Sequence, residues 1–294
     1  SAVSIDQPHQ AIGYSLSQYY DNINDPDLLH VFYNDEPAEN VTAFSNIHVS
    51  EDAAVQYGHT KGVLLFDSKS DTGIWLIHSV PKFPIVQKYV YPTSGTDYGQ
   101  SFLCLTLDKN TLAQLGTVLY YNHPDVYSYP LPDWAVNMAP DLVKVLQGKY
   151  NSDATDTHYQ APITVTNGNS GPAMQVFAKS YQYNFDLWSG LVAPAYKSSL
   201  EAETWRRGDL IDTICTDPYP VFDAQTIKIG ATDEYKYTKD HSKYARTLDA
   251  ADPTVCIGDI NRMTSQYVRG GGTVCIVDTQ LWNAYSVFRQ LPTC

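Results

Sequence analysis

The hydrophobic positions along the chain fall mostly into short runs that are typical of strands. We expect strands at residues 63–66, 74–77, 102–105, 118–121, 163–165, 255–257 and 274–277. Apolar residues at helical spacing predict helices at residues 11–20, 108–116, 132–147 and 281–289. Asp108 would cap the second of these helices. The pattern therefore predicts a mixed α/β or α+β fold with extensive sheet.

A polar stretch at residues 148–159 lacks apolar periodicity and divides the chain into two halves, 1–155 and 156–294. The halves repeat three features in the same order. A His-x-Lys segment comes first, then a strand-like segment (73–78 or 256–261), then a Gly-led strand (99–105 or 271–276). We interpret this order as a degenerate internal duplication in which each half contributes one His-x-Lys segment to a shared central site.

The two segments are His59-Thr60-Lys61 and His241-Ser242-Lys243. Side chains i and i+2 of an extended segment share a face, so each His would point the same way as its Lys. Two such pairs meeting at one point would surround a single anion with two imidazoles and two ammonium groups. That arrangement suits metal-free cleavage of a phosphodiester. A lone His-x-Lys pair, by contrast, usually lies on a solvated surface.

Charge limits the classes of function that the chain can have. The net charge is −13 and charged residues are only 17% of the chain, which argues against a broad basic groove for DNA. Protonation of the eight His residues in an acidic compartment would weaken the repulsion. The absence of an apolar run of about 18 residues predicts no membrane span. The polar, processed-looking start at Ser1 and the Asn40-Val41-Thr42 acceptor sequon favour a secreted or lumenal glycoprotein.

The five cysteines show no zinc-type spacing, so we expect no metal site. Cys256 and Cys275 flank a Gly-rich turn between two apolar runs, as a hairpin disulfide would. Cys294 is the final residue, where a disulfide could fix the chain end. Buried thiols are the alternative for all five, and the odd number leaves at least one cysteine without an intrachain partner.

These motifs resemble the deoxyribonuclease II family. The matching stretches are GHTKGVLL at 58–65, WLIHSVP at 75–81, YGQ at 98–100, DHSK at 240–243, CIGDINR at 256–262 and RGGGTVC at 269–275. Weaker similarity extends across nearly the whole chain. The resemblance implies a phospholipase-D-like fold of two similar halves, each with a central mixed sheet flanked by helices, packed as a pseudo-dimer.

The resemblance also implies an activity, namely an acid endonuclease of lysosomal or secreted location that needs no metal or other cofactor. It would cleave double-stranded DNA, and could also accept single strands, to leave 3′-phosphate and 5′-hydroxyl ends. The catalytic positions match His59, Lys61, His241 and Lys243. One imidazole would form a phosphohistidine and the other would protonate the leaving oxygen. By analogy we favour His59 as the nucleophile.

The resemblance further implies the disulfides Cys215–Cys294 and Cys256–Cys275. Family members usually begin with a further segment that contains a Cys, so we expect Cys104 to be unpaired or linked to a separate N-terminal peptide. A second departure is that Tyr244-Ala245 replaces the Trp-Cys that often follows the second motif. Neither departure touches a catalytic position.

Several other residues are candidates for the site. His78 and Asn261 occupy equivalent places in the two halves and could orient the phosphate, and Gln100 is a weaker candidate. Arg262 and Arg269 could contact DNA, although ion pairing is the commoner role for such residues. Two other functions stay open: a non-catalytic homologue that binds nucleic acid or a protein, and a phosphodiesterase for another ester. The sequence also leaves open a homodimer.

Overall fold

The computed structural model describes residues 3–38, 56–165 and 171–294, so Asn40 lies outside the described residues. The helices are α1 (Ala11–Tyr20), α2 (Lys109–Asn122), α3 (Asp133–Met138), α4 (Pro140–Leu146), α5 (Ala193–Tyr196) and α6 (Thr279–Ala284). The first strands are β1 (Leu28–Asn34), β2 (Lys61–Asp67), β3 (Thr72–His78), β4 (Phe102–Asp108), β5 (Val126–Ser128), β6 (His158–Pro162) and β7 (Ala173–Lys179). The remaining strands are β8 (Leu200–Glu203), β9 (Val221–Asp223), β10 (Thr226–Ile229), β11 (Asp233–Lys236), β12 (Tyr244–Thr247), β13 (Thr254–Gly258), β14 (Gly271–Val277) and β15 (Phe288–Arg289). This confirms the expected mixed α/β class.

The strands form one five-stranded, one seven-stranded and one three-stranded sheet. The five-stranded order is β4-β3-β2-β1-β5, and every described pair in it is antiparallel. The seven-stranded order is β6-β7-β14-β13-β12-β8-β9, with a single parallel pair, β8–β9. The expectation of a mixed sheet therefore holds for the seven-stranded sheet, whereas the five-stranded sheet is antiparallel. The small sheet has the order β11-β10-β15.

Both large sheets contain the same three-stranded antiparallel meander. In the first, β2, β3 and β4 are neighbours, and in the second β12, β13 and β14 are neighbours. Lys61 is the first residue of β2, and Lys243 directly precedes β12. Each His-x-Lys segment thus leads into the first strand of a meander and lies at the N-terminal end of that strand.

One hydrophobic core joins the two large sheets. It includes Leu64 of β2 and Trp75 of β3, Leu115 of α2, and Val176 and Val274 of the seven-stranded sheet. Because burial of each such side chain contributes about 1.5–3 kcal/mol, this shared core fixes the two sheets relative to each other.

Helix α2 lies at this junction and contacts β4, β7 and β14 as well as α4. Gly116 permits its close approach to α4, since a Cβ there would lie 2.6 Å from the backbone nitrogen of Leu142. No helix of the described residues has both the length and the apolarity that a membrane span requires.

Several predicted elements hold and others need correction. Helix α1 has the predicted bounds, and the Asp108 carboxylate caps α2 by accepting a hydrogen bond from the Thr111 backbone over 2.8 Å. The strand predicted at 118–121 is wrong, because these residues are the last turn of α2. Val118 and Leu119 continue its buried helical stripe and face the core.

The other corrections lie at element ends. The helix predicted at 132–147 is two helices, separated at Ala139 because Pro140 lacks the backbone N–H that a continuous helix requires. The helix predicted at 281–289 ends at Ala284, and residues 288–289 form β15 instead. The strand predicted at 163–165 is wrong, because strand β6 ends at Pro162 and these three residues follow it without strand structure.

The cysteines pair as the family resemblance implied. A disulfide joins Cys256 and Cys275, which are direct partners on β13 and β14. A second joins Cys215 to Cys294 and ties the last residue to the body of the fold. Cys104 on β4 is exposed and carries a free thiol.

Candidate active site

The two His-x-Lys segments lie against each other's half of the fold. The His59 backbone N–H donates to the carbonyl of Gly270, directly before β14, over 2.9 Å. The His241 backbone N–H donates to the carbonyl of Gly99, shortly before β4, over 2.8 Å. The two distant segments therefore converge, each anchored to the loop that leads into the third meander strand of the other sheet.

The His59 imidazole has a fixed orientation. Its Nδ1 lies 2.7 Å from the backbone carbonyl of Asp259, which can only accept, so Nδ1 carries the proton and Nε2 is left unprotonated in the neutral ring. Burial lowers the pKa of His59 well below its ordinary value. The nearby Asp35 carboxylate opposes this lowering, while the charges of Lys61 and Lys243 reinforce it.

The His241 imidazole occupies the related position in the second half. Burial lowers its pKa to about 3, and the charges of Lys243 and Lys61 contribute in the same direction. The backbone of Ser79, directly after β3, approaches the ring and acts in the opposite sense. Ser79 and Asp259 follow the second meander strands β3 and β13, so each imidazole lies beside the end of the other half's second strand.

The two lysines are almost completely buried, with 4% of Lys61 and 2% of Lys243 exposed. Lys61 forms an ion pair with Asp35. The ammonium of Lys243 donates to the carbonyl of His241. Burial lowers the pKa of Lys243 to about 7, and repulsion by Lys61 contributes to this shift. A site with two such ammonium groups is suited to an anion that restores the missing counter-charge.

Asp35 is the carboxylate nearest to this cluster. Besides Lys61, it accepts a hydrogen bond from Nη2 of Arg269 over 2.9 Å, and its Oδ2 lies 3.7 Å from Nε2 of His59. Burial by itself would raise the pKa of Asp35, but its interactions with His59, Lys61 and Arg269 hold it below its ordinary value. Asp35 therefore stays ionised and fixes the Lys61 ammonium beside His59.

The structurally equivalent position in the second half is Trp205. In the first half, Asn34 pairs with Lys61, and the next residue, Asp35, donates its backbone N–H to the Thr60 carbonyl. In the second half, Glu203 pairs with Tyr244. Continuing that register by two residues places Trp205 opposite Ser242, the counterpart of Thr60, and therefore beside His241. The Trp205 and His241 ring centroids are 3.9 Å apart. One imidazole thus faces a carboxylate, and the other faces an indole.

A sequence model of the deoxyribonuclease II family matches residues 1–294, which is the whole chain. The chain belongs to this family. It is 45% identical over 311 residues to deoxyribonuclease-2 of Caenorhabditis elegans, with 100% of this chain and 80% of the relative covered. It is 34% identical over 288 residues to plancitoxin-1 of Acanthaster planci, covering 97% of this chain and 76% of that protein.

A further relative is mouse deoxyribonuclease-2-alpha, with 31% identity over 287 residues, 96% of this chain and 76% of the relative. The matches confirm the family inferred from the motifs, and with it the assignment to deoxyribonuclease-type hydrolases. They bear on the whole chain rather than on single residues. The roles of the four His and Lys residues therefore stay predictions.

The remaining candidates of this deoxyribonuclease II chain lie around the cluster. Nε2 of His78 and Nε2 of Gln100 are buried polar atoms without a hydrogen-bond partner among the described residues, and Oδ1 of Asn261 is a third. Burial lowers the pKa of His78 to about 3, with a contribution from Lys61. Oε1 of Gln100 accepts a hydrogen bond from Ser79. Unpaired buried donors are costly unless a ligand satisfies them, so the N–H groups of His78 and Gln100 are compatible with the predicted contact to phosphate. The Asn261 oxygen only accepts hydrogen bonds, so it does not support such a contact.

The predicted equivalence of His78 and Asn261 is wrong. Ile77 pairs with the residue after Lys61, and Ile257 pairs with the residue after Lys243, so His78 corresponds to Gly258.

The two arginines have ion-pair roles. Arg262 is buried and pairs with Asp186 and Asp223. Arg269 pairs with Asp35 and also donates to the carbonyls of Tyr57 and Gly58. The predicted preference for ion pairing over DNA contact agrees with these contacts. Within the ranges that the structure describes, no group of three His, Cys, Asp or Glu side chains is arranged to hold a metal ion.

Sequence reasoning missed Asp35, Trp205 and Asp259. Asp35 and Trp205 follow strands β1 and β8, neither of which was predicted. The available signal for Asp35 was an acidic residue after the largely apolar run at 28–33. Trp205 follows the alternating sequence LEAET at 200–204, so no apolar run marked it. Asp259 was noted only as part of a motif. Its Oδ1 accepts a hydrogen bond from the Gly272 N–H over 2.9 Å, and burial raises its pKa to about 7.

Proposed function

We propose that the chain is an acid endodeoxyribonuclease that cleaves DNA phosphodiesters without a metal ion and leaves 3′-phosphate and 5′-hydroxyl ends. The proposal rests on the convergence of the two His-x-Lys segments in a chain of the deoxyribonuclease II family. Two imidazoles supply a nucleophile and a general acid, and two ammonium groups supply charge for the phosphate oxygens.

In the first step, Nε2 of His59 attacks phosphorus. The P–N bond forms as the bond from phosphorus to the 5′-oxygen breaks, and protonated His241 gives its proton to that oxygen. In the second step, neutral His241 takes a proton from water, the water oxygen attacks phosphorus, and the P–N bond breaks to release the 3′-phosphate. The Nδ1 bond to Asp259 supports His59 as nucleophile, because it leaves the Nε2 lone pair available.

The lysines neutralise the phosphate oxygens through both steps. Lys61 is oriented by Asp35 and Lys243 by the His241 carbonyl. Because the pKa of Lys243 is lowered to about 7, acidic conditions keep its ammonium charged. His241 is neutral in the free enzyme, and the negative charge of a bound phosphodiester beside it favours its protonated form. Both effects favour activity at acidic pH.

We also propose that residues 1–155 and 156–294 are the two halves of a pseudo-dimer, each supplying one His-x-Lys segment. The repeated meander supports this, as does a repeated turn. The N–H groups of Ser101 and Gly272 donate to the side chains of Ser79 and Asp259, respectively, over 2.9 Å. The two disulfides favour an oxidising compartment, so we propose a secreted or lysosomal location.

The decisive experiment is nicking of supercoiled plasmid at about pH 5 in excess EDTA. The chain should convert the plasmid, and His59→Ala or His241→Ala should abolish conversion. The exposed His9→Ala is the matched control and should leave the rate unchanged. The product 3′ ends should resist extension by a DNA polymerase until a phosphatase removes their phosphate. The product 5′ ends should accept a labelled phosphate from a kinase without prior dephosphorylation.

Three outcomes would contradict the proposal. Loss of all activity in EDTA would reject the metal-free mechanism. Tight DNA binding without cleavage at any pH would favour a non-catalytic homologue. Faster hydrolysis of phosphatidylcholine than of DNA in parallel assays would favour a phosphodiesterase for another ester.

A further inference from the structure

The surroundings of the two imidazoles differ, although their backbone positions are equivalent. His59 faces the Asp35 carboxylate, whereas His241 is flanked by two aromatic rings. Its centroid lies 3.9 Å from that of Trp205 and 5.3 Å from that of Tyr98. The two aromatic rings also meet each other edge to face at 5.0 Å. We call Tyr98 and Trp205 the aromatic wall.

An exposed cationic side chain lies over each ring of the aromatic wall. The guanidinium of Arg207 lies 4.3 Å from the centre of the Trp205 ring, and the ammonium of Lys239 lies 5.5 Å from that of Tyr98. Nη2 of Arg207 donates to the Thr238 carbonyl over 3.0 Å, which holds its plane over the indole. In a chain of net charge −13, two exposed cations beside a catalytic imidazole form a local exception to the overall charge.

This combination matches the chemistry of one nucleotide. Unpaired bases stack on aromatic rings and on arginine guanidinium planes, and exposed cations bind the neighbouring phosphates. We propose that Tyr98, Trp205, Arg207 and Lys239 form a subsite that stacks the base of one nucleotide next to the scissile phosphate. Since His59 is the nucleophile in the proposed function, on which this inference rests, that nucleotide is the one on the 3′ side, whose 5′-oxygen leaves beside His241.

Two consequences follow from the position of the subsite. A base that stacks there is withdrawn from its complementary strand, so the chain acts on DNA that is locally unpaired. The carboxylate at the equivalent place beside His59 offers no stacking surface, so the two nucleotides around the scissile phosphate are recognised differently. The strand is therefore bound with one defined polarity.

The test uses single-stranded 12-mers of one sequence, each with one tetrahydrofuran abasic residue, at pH 5 in EDTA. Cleavage is measured separately at the phosphates on either side of that residue. For the unmodified chain, loss of the base on the 3′ side of a phosphate should slow cleavage there about tenfold, whereas loss on the 5′ side should have a smaller effect. Trp205→Leu should slow cleavage of the intact 12-mer about tenfold, and the 3′ abasic residue should then cost nothing more.

The matched control is Trp134→Leu, on α3 beside Phe66, which should retain the full abasic penalty. An unchanged 3′ penalty in Trp205→Leu would overturn the proposal, because the wall would then only orient His241. The proposal would also be overturned if Trp205→Leu removed the effect of an abasic residue on the 5′ side of the phosphate instead. If Trp205→Leu fails to unfold cooperatively, the same comparison of intact and abasic 12-mers is made with Arg207→Gln, a substitution of an exposed residue. If the 3′ abasic residue still slows cleavage by Arg207→Gln about tenfold, the proposal is overturned.

A binding measurement separates this subsite from the cleavage chemistry. In a His59→Ala background, fluorescence anisotropy should show about tenfold weaker binding of a fully abasic 12-mer than of the intact one, and Trp205→Leu should remove the difference. Equal binding of both oligomers in the parent background would reject the subsite. Failure of the unmodified chain to cleave in EDTA would reject the proposed function while leaving this binding result to decide the subsite.

Discussion

Nδ1 of His59 is hydrogen bonded at 2.7 Å to the backbone carbonyl of Asp259, a residue that follows a strand of the other large sheet. The orientation of the His59 imidazole, the proposed nucleophile, is therefore set by the second half of the chain. In turn, the His241 backbone N–H donates to the carbonyl of Gly99 in the first half over 2.8 Å. Neither half can position its own imidazole without the other, and this dependence underlies the predictions below.

Removing the Asp35 charge should destabilise the fold and impair cleavage. Asp35→Asn leaves Lys61, Arg269 and His59 without their shared counter-charge, and loss of one partner of a buried pair costs about 3–5 kcal/mol. Urea unfolding at pH 7 measures this loss. Asp27→Asn, which removes the partly exposed pair with Lys69, is the control and should cost less than about 1 kcal/mol. Equal losses in the two variants would contradict the assigned role of Asp35.

The pH dependence of cleavage should report the titration of Lys243. Its pKa is lowered to about 7, so the ammonium is lost as the pH rises through that value. The decline of kcat/KM that loss of protonated His241 already causes should therefore become steeper near pH 7. Lys243→Arg keeps the charge, so this steeper decline near pH 7 should be absent from its residual activity. The exposed Lys69→Arg should leave the profile unchanged. A flat kcat/KM between pH 6 and 8 would show that Lys243 does not limit activity.

The Asp259 carboxyl should make the folded state more stable in acid. Its folded pKa is raised from 3.8 to about 7, so its contribution is fully present below pH 3.8 and is lost as the pH rises through 7. Asp259→Asn keeps an acceptor for Gly272 and removes the titration. Between pH 5 and 8 the free energy of unfolding of the unmodified chain should fall by roughly 2–3 kcal/mol relative to this variant. The exposed Asp233→Asn should run parallel to the unmodified chain.

Arg262 should act on stability rather than on DNA affinity. It is 1% exposed and pairs with Asp186 and Asp223, so Arg262→Gln should cost about 3–5 kcal/mol at pH 7.5. Burial raises the pKa of Asp223 to about 6, and loss of Arg262 removes a charge that opposes this rise. Protonated Asp223 tolerates the substitution better, so the loss should be smaller at pH 5.

Two measurements complete the Arg262 test. Arg289→Gln, which removes contacts to neighbouring backbone carbonyls at the surface, should change stability by no more than about 0.5 kcal/mol. The salt dependence of DNA binding by folded Arg262→Gln should match that of the unmodified chain. A smaller salt slope would instead mean that Arg262 contacts a phosphate.

The sequence predicted elements best where local pattern and tertiary environment agree. Helix α1 and the Asp108 cap have local signals, and they appear where they were predicted. The strand predicted at 118–121 failed because branched and aromatic residues were taken as β-forming, whereas the buried stripe of α2 continues through them. Strands β1 and β8 were missed, and with them the positions of Asp35 and Trp205. Those positions matter only because a neighbouring strand brings them beside an imidazole.

The sequence alone determined the family, the mixed α/β class and the four residues proposed for catalysis, because a repeated His-x-Lys pattern with its flanking motifs is local information. It also indicated the two disulfides through the resemblance. Tertiary structure decided which groups surround each imidazole, because a backbone carbonyl, a carboxylate or an indole reaches the ring only through strand pairing and sheet packing. For the same reason, the shifted pKa values of Lys243 and Asp259 follow from burial that folding creates.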